Sequence, residues 1–495
     1  MSLKYFDFLK QIINRKEGDP VEMVRNVDPL GKSEIVWGIK EFKTEYSTRF
    51  NMCGYCAPKL DVVRIGFIGL GERGSNAVVR ISQIEGVEIK ALSDQREASV
   101  KASQSYLTGK GIPAAAEYFG KEEGWKEMCN HDDVDLVYIC TPWHQHTPMA
   151  VYAMEHGKHV AVEVPAARTL DECWQLVETS ERTHKHCMML ENCCYDFFEL
   201  LTLNMARQGL FGELVHGEGG YMHSLLEMNF AKPKGASSDN LCAPEMFRLK
   251  ENYRNGNLYP THGLGPVCQA MNINRGDKME YLTSMSSADF QMADKARELA
   301  AKDSFYNQFL GKPFRGNMNA TIVRTQKGRT IMIQHDVTST RPYSRIHLLS
   351  GTKGIAQKWP EPAKISFGEE WLNEEEFEKL SQEFTPALVR KIGDFAKKTD
   401  EKGGKDFMMD WRLIDCLRNG LPLDQDVYDA ALWSSIAPLT EWSVAHYSSP
   451  VRVPDFTCGG WKTNQPVNLS LAGGGNTGVR ILSNVGTSEV YETHC

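Results

Sequence analysis

The stretch RIGFIGLGERGSNAVVRI, Arg64 to Ile81, admits few folds. An apolar run breaks at Gly69, Gly71 and Gly74 and resumes at once with helical apolar spacing. A strand that enters a helix through a G-x-G-x-x-G turn is the opening unit of a parallel sheet wound with helices. Gly69 makes the tight turn, Gly71 lets a pyrophosphate approach the backbone, and Gly74 lets helix and strand pack closely. The free N–H groups and partial positive charge of the helix start favour phosphate there. The next strand, VEIKALSD, ends at Asp94, twenty residues beyond Gly74. A carboxylate at that place can hold an adenosine ribose 2′-hydroxyl and repels a 2′-phosphate, so NAD is expected over NADP. Arg96 is the neighbour that weakens this preference.

The alternation continues. Short apolar runs VEIKAL, DLVYIC, HVAVEV and CMML are separated by helical patterns up to Glu191, as in an α/β Rossmann domain. After Asn192 the texture changes to longer β-like runs, LVHGEGGYMHS, NATIVRT, RTIMIQHDVTST and SRIHLLS. These predict a C-terminal α+β domain on a largely antiparallel open sheet. The expected division is an N-terminal extension over 1–60, a Rossmann domain over 61–191, a substrate-binding domain over 192–462 and a tail over 463–495, to which the sequence assigns no task. WLNEEEFEKLSQEF reads as an exposed charged helix, and FMMDWRLIDCLRNG and DVYDAALWSSIAPLTEWSVAHY as helices with Trp411 and Trp433 in the core.

Composition excludes several classes of function. A chain of 495 residues with 41% hydrophobic and 24% charged residues is that of a globular protein, and no apolar run is long enough to span a bilayer. The 56 basic and 64 acidic residues give a net charge of −8 without a long basic run, which argues against a nucleic-acid partner. A homo-oligomer is left open. Thirteen scattered cysteines do not form a disulfide framework. The one CxxC, Cys53 and Cys56, lacks a second pair or histidines at zinc spacing, and His144-x-His146 lacks an obvious third ligand, so no metal is expected. The first residues carry no apolar core of a secretory signal. The chain therefore reads as cytoplasmic, with export of a folded precursor open if a signal was removed.

Candidate site residues follow from position and chemistry. The strand in YICTPWHQHTPMAV runs into Trp143, His144, Gln145 and His146, a loop beyond a strand's carboxyl end and so facing the nicotinamide half of the cofactor. Glu163 ends the strand HVAVEV and could relay protons or hold the nicotinamide ribose. His262, in LYPTHGLGP, heads an apolar helix, and a near-neutral pKa would suit it to take a hydroxyl proton. Its bland alternative is a helix-start histidine bonded to backbone. Tyr259 and Tyr343 can move a proton or steer a hydroxyl, although buried tyrosines more often pack with one satisfied hydroxyl.

The order of GxGxxG, Asp94, CTPWHQHTPMA, GKHVAVEVPAA and MMLENCCYD resembles the glucose-fructose oxidoreductase, inositol dehydrogenase and MocA superfamily. Within it, ENCCY, NMARQGLFGELVHGEGGYMHSL, RNGNLYPTHGLGPVCQAMNINRGD, HDVTSTRPYSR and MDWRLIDCLRNGLPLDQDVYDAALWS are similar to glycoside hydrolase family 109, the NAD-dependent α-N-acetylgalactosaminidases. The likeness runs from about Val62 to Lys462. It implies that NAD⁺ stays bound and oxidises the sugar 3-hydroxyl transiently. The ketone acidifies the proton at carbon 2, the carbon 1 substituent is eliminated, water adds back and the ketone is reduced. Matched position by position, the resemblance puts cofactor contacts at Glu72, Arg73, Asp94, Trp143 to His146, Glu163, Val164 and Asn192. Substrate contacts fall at Tyr221, Arg248, Tyr259, Pro260, Thr261, His262 and Tyr343. Arg254 is the alternative to Arg248, because RLKENYRNGNLY is spaced one residue short of the family's pattern. His262, Tyr343 and Glu163 are the implied acids and bases. Sugar-oxidising relatives have Glu-Lys-Pro where this chain has Glu163-Val164-Pro165, which fits a site arranged around other groups. The competing readings are a sugar or cyclitol dehydrogenase that releases NADH and a catalytically idle sugar-sensing protein.

Overall fold

The computed structural model describes residues 24–27, 34–37, 39–47, 49–232, 246–400, 403–482 and 488–491. The opening residues considered for a signal, and the last residues of the tail, lie outside them. A six-stranded parallel sheet holds β1 (Val63–Ile68), β2 (Val87–Ser93), β3 (Ala116–Tyr118), β4 (Leu136–Ile139), β5 (His159–Val162) and β6 (Cys187–Met189), in the spatial order β3-β2-β1-β4-β5-β6. This is the doubly wound order that places a ligand crevice beside β1 and β4. Every residue of β4 and of β5 is buried, as expected of strands covered by helices on both faces. Helix α1 (Glu72–Ile81) buries Gly74, Ala77, Val78 and Ile81, the spacing of one helical face. Helix α2 (Leu170–Thr183) starts at a capping box, in which the Glu172 N–H donates to Thr169 Oγ1 at 3.1 Å.

The second sheet has eight strands: β7 (Leu214–Met222), β8 (Met279–Ser286), β9 (Met318–Thr325), β10 (Thr330–Asp336), β11 (Leu348–Gly351), β12 (Ile355–Gln357), β13 (Lys364–Ser366) and β14 (Val451–Arg452). Their order is β13-β12-β11-β7-β10-β9-β8-β14. All pairings are antiparallel except β7 with β10, so the sheet is mixed but mostly antiparallel. Along β9 buried and exposed residues alternate, which leaves one face open. The other face carries α3 (Thr261–Ala270), whose backbone lies almost on β7. A Cβ on Gly263 would fall 2.0 Å from Gly220 N, and one on Gly219 would fall 2.4 Å from Gly263 O. Gly265 serves the opposite side, where a Cβ would meet Cys194 Sγ at 2.9 Å and Glu191 Cγ at 3.1 Å. Helices α4 (Lys405–Asn419) and α5 (Val427–Ala445) bury Trp411 and Trp433 completely. The helix Glu374–Phe384 buries no residue, in keeping with its charge.

The two ends of the chain, which the sequence left without a task, bind the halves together. Glu181 on α2 is buried and accepts from Tyr46 Oη at 2.5 Å, from the N–H groups of Arg49 and Phe50, and from Tyr428 Oη of α5 at 2.7 Å. The Tyr428 hydroxyl in turn accepts the Met52 N–H at 3.0 Å. At the other end, the Arg480 N–H donates to Gln83 O and the Trp411 indole N–H to Thr477 O, so residues 477–480 lie against α1 and α4. Among the described residues no two cysteines are joined in a disulfide.

Gly263→Ala forces a methyl group into β7. We expect it to lower stability by roughly 1–3 kcal/mol, the usual cost of overpacking, read as a lower urea midpoint at unchanged slope. A wild-type midpoint would mean that α3 can move off the sheet freely.

Candidate functional site

The glycine turn after β1 has the shape a dinucleotide needs. Gly69 has φ +87°, and a Cβ there would strike Cys140 O at 2.7 Å. A Cβ on Gly74 would fall 1.9 Å from Gly69 O. Gly71 differs: a Cβ on it would approach only Arg96 Nη2, at 3.8 Å, so its outer side is open to a pyrophosphate. Asp94 directly follows β2 and faces this turn. Its carboxylate accepts from the Leu70 N–H at 2.7 Å and the Arg96 N–H at 2.9 Å, which fix its orientation. The Arg96 guanidinium lies 3.4 Å from the same carboxylate. The residues present fit NAD.

A network of charges ties the turn to the second domain. Arg73 Nε donates to Glu163 Oε1 at 2.5 Å, and its two terminal nitrogens donate to Asp406 at 2.7 and 2.8 Å. Asn192 donates to Asp406 as well, at 2.5 Å. Burial alone would raise the Asp406 pKa, but Arg73 overrides it and holds the carboxyl well below the usual range. Asp406 thus joins three residues expected at the cofactor, Arg73, Glu163 and Asn192. Val164 is buried in the apolar core. Glu72 is exposed at the start of α1. Of the loop after β4, Trp143 is buried and stacks on Tyr259 at 5.6 Å, Gln145 is partly buried, and His144 is exposed. His146 departs from a direct cofactor contact: its ring is buried, with Nδ1 2.7 Å from Pro165 O and Nε2 2.7 Å from Thr141 O. It pins the loops that follow β4 and β5.

His262 heads α3, one residue after Thr261, with Pro260 at the cap position. Its Nδ1 lies 2.7 and 2.9 Å from the two oxygens of Glu191, a fully buried carboxylate just beyond β6. Burial would lower the imidazole pKa, but Cys193 and Glu191 beside it outweigh that and lift it to about 9. The near-neutral value expected for a lone histidine therefore gives way to that of an acid–histidine pair. Around the ring stand Tyr259 at 4.9 Å and Tyr221 at 5.4 Å, and Tyr343 lies 6.2 Å from Tyr221. Burial pushes the Tyr343 phenol up, and Arg345, whose Nη1 donates to its oxygen at 3.4 Å, pulls the other way. Arg345 is itself held by Asp196 and Glu199. His223 joins the group, with Nδ1 3.1 Å from Tyr221 Oη. Arg248 is exposed yet near enough to Tyr221, His223 and Tyr259 to act on each electrostatically. Arg254 is turned away to Glu251, Glu441 and Arg168 O, so the structure favours Arg248 over its alternative.

Glu191, Asp406, Arg345 and His223 were not singled out from sequence. Glu191 is adjacent to Asn192 in a stretch that was, and a buried acid at a strand's carboxyl end was its available signal.

Comparison with known proteins bears on this geometry. Residues 63–191 match the family model of the NAD-binding Rossmann fold of an oxidoreductase family, and residues 195–463 match the C-terminal domain of glycosyl hydrolase 109. The chain belongs to glycosyl hydrolase family 109. A family 109 protein of Phocaeicola vulgatus is 48% identical over 417 residues, 84% of this chain and 99% of that protein. An alpha-N-acetylgalactosaminidase of Bacteroides fragilis is 49% identical over 415 residues, 83% and 96% of the two chains. Among solved structures, levoglucosan dehydrogenase with NADH superposes at a TM-score of 0.57 with 15% identity, over 79% of this chain and 99% of its own. Apo scyllo-inositol dehydrogenase from Lactobacillus casei gives 0.55 with 13% identity, over 80% and 99%. These two share the fold. As a family 109 member with this Rossmann domain, the protein is a glycoside hydrolase with NAD as its cofactor.

Asp94→Ala should raise the NAD dissociation constant roughly tenfold or more, the cost of hydrogen bonds to a charged group, as measured by calorimetry on nucleotide-stripped protein. Unchanged affinity would remove Asp94 from the ribose.

Proposed function

We propose that this enzyme hydrolyses α-N-acetylgalactosaminides, with NAD recycled in each turnover and residues 61–191 and 192–462 as its cofactor and substrate domains. The observation that carries the proposal is the buried Glu191 carboxylate bound to His262 Nδ1 at the meeting of the two sheets. The name of the B. fragilis relative supplies the sugar. When bound, NAD supplies a reversible hydride acceptor for carbon 3 of the sugar. With its pKa lifted to about 9, His262 is mostly imidazolium at neutral pH. The base is its neutral form, with the proton on Nδ1 toward Glu191; its Nε2 takes the proton of the sugar 3-hydroxyl, and its share grows as pH rises. Tyr343, whose oxygen accepts from Arg345 Nη1 at 3.4 Å and which burial keeps as a phenol, exchanges the proton at carbon 2. Glu163, oriented by Arg73, holds the nicotinamide ribose or relays protons beside it. Tyr221, Tyr259 and Arg248 line the sugar side. An ordinary glycosidase places two carboxylates across carbon 1; here Glu163 is committed to Arg73 and Glu191 to His262, so the acids serve neighbours instead.

Two measurements test this reading. Hydrolysis of an aryl α-N-acetylgalactosaminide in D₂O should yield sugar carrying deuterium at carbon 2, with no net rise in NADH absorbance. Sugar unlabelled at carbon 2 would reject the elimination route, and steady NADH accumulation would point to a dehydrogenase. His262→Ala and Tyr343→Phe should each lower kcat roughly a hundredfold or more, the scale of a lost general acid or base, while NAD binding persists. Wild-type turnover in both would return these residues to packing roles.

A further inference from the structure

The floor of the site carries a donor set that proton transfer does not require. Glu191 and Cys193 come from one turn, in which the Glu191 carboxylate accepts the Cys193 N–H at 3.0 Å, so the local backbone fixes their spacing. His262 comes from the first turn of α3. One ligand atom from each of the three lies within 4.8 Å of the other two, and Glu191 and Cys193 are wholly buried. A carboxylate oxygen, an imidazole nitrogen and a thiol sulfur form a mixed set. Hard cations such as Mg²⁺ and Ca²⁺ prefer oxygen alone, whereas borderline cations of the Zn²⁺ class accept all three donors. Lys405 Nζ lies 4.0 Å from Cys193 Sγ, at the edge of the cluster. The Nδ1–carboxylate separation of 2.7 Å is shorter than the roughly 3.3 Å between ligands of a tetrahedral zinc ion. A bound cation must therefore spread the pair slightly. The side chain of His262 is 15% exposed, which opens the cluster toward the sugar side.

We propose that Glu191, Cys193 and His262 form a site for one thiophilic divalent cation of the Zn²⁺ class, which takes the place of the hydrogen between His262 and Glu191 and stops hydrolysis. The inhibition rests on the role given to His262 above; the binding does not. With the cation on Nδ1, the neutral ring carries its proton on Nε2, so it cannot take the proton of the sugar 3-hydroxyl.

The test uses purified enzyme with its NAD, titrated with Co²⁺ as a visible probe and with Zn²⁺ against a chromophoric chelator. Wild type, Cys193→Ser and Cys193→Ala are compared, each checked for a native melt. Cys56→Ser serves as reference for loss of an exposed thiol. We expect thiolate-type visible cobalt bands and one zinc equivalent in wild type and Cys56→Ser, both lost in the Cys193 variants. Measured against each variant's own zinc-free rate, zinc should inhibit the Cys193 variants roughly tenfold or more weakly than it inhibits wild type, at least the cost of disturbing a metal's ligand shell. Cobalt spectra that do not depend on Cys193 would overturn the site. Zinc that binds there and leaves turnover unchanged or raised would overturn the inhibition. If the protein proves to lack glycosidase activity, the cobalt spectrum still decides the site, and only the function proposed above fails.

Discussion

The site depends on how near one helix backbone can come to one strand. The sequence THGLGP spends two glycines on α3: Gly263 against Gly219 and Gly220 of β7, and Gly265 against Glu191 and Cys194. The helix is in effect a wedge without side chains on two of its faces. Because it enters so deeply, His262 reaches Glu191 on the Rossmann side while Tyr221 of β7 and Tyr259 stay within ring-contact distance. A larger residue at either glycine would part groups whose chemistry is set by tenths of an ångström.

The charges make sense on the same footing. Buried ions are costly unless paired, and here each one near the cofactor has a partner across the chain: Arg73 with Asp406, Arg80 with Asp410, and Arg345 with Asp196 and Glu199. These pairs hold side chains in single orientations. Arg73 turns Glu163, and Asp406 turns Asn192, so the crevice is arranged before any ligand arrives.

Much of this was legible in the sequence where the signal is local. The glycine turn, Asp94 and the strand runs each fit within a window of some twenty residues, and their physical reasons are short-range. The mostly antiparallel second sheet was readable from its alternating runs, as in β9. What could not be read is pairing over distance. Glu191 and His262 stand 71 positions apart and Arg73 and Asp406 333 apart, so no periodicity links them. For that reason His262 was read as a lone imidazole, and the structure gives it a carboxylate and a raised pKa. The loop histidines show the same limit, since spacing could not tell the exposed His144 from the buried, backbone-bonded His146. The tail offered polar, glycine-bearing sequence with no pattern, and its contacts to α4 and the end of α1 mix backbone groups with the side chains of Asn476, Thr477 and Arg480, whose partners lie far away in sequence.

The Glu181 cluster bears on time as well as on shape. One carboxylate gathers the N-terminal segment, α2 and α5, so the sheet that carries the cofactor and the helix that backs the sugar side are latched at a point remote from the crevice. Such a latch opposes hinge bending, one of the motions by which two-domain proteins open and close around a ligand. The nucleotide would have to escape through local movement of loops alone, and its residence time would be long. Under the function proposed above, in which the cofactor ends every cycle in its starting oxidation state, that slowness costs nothing.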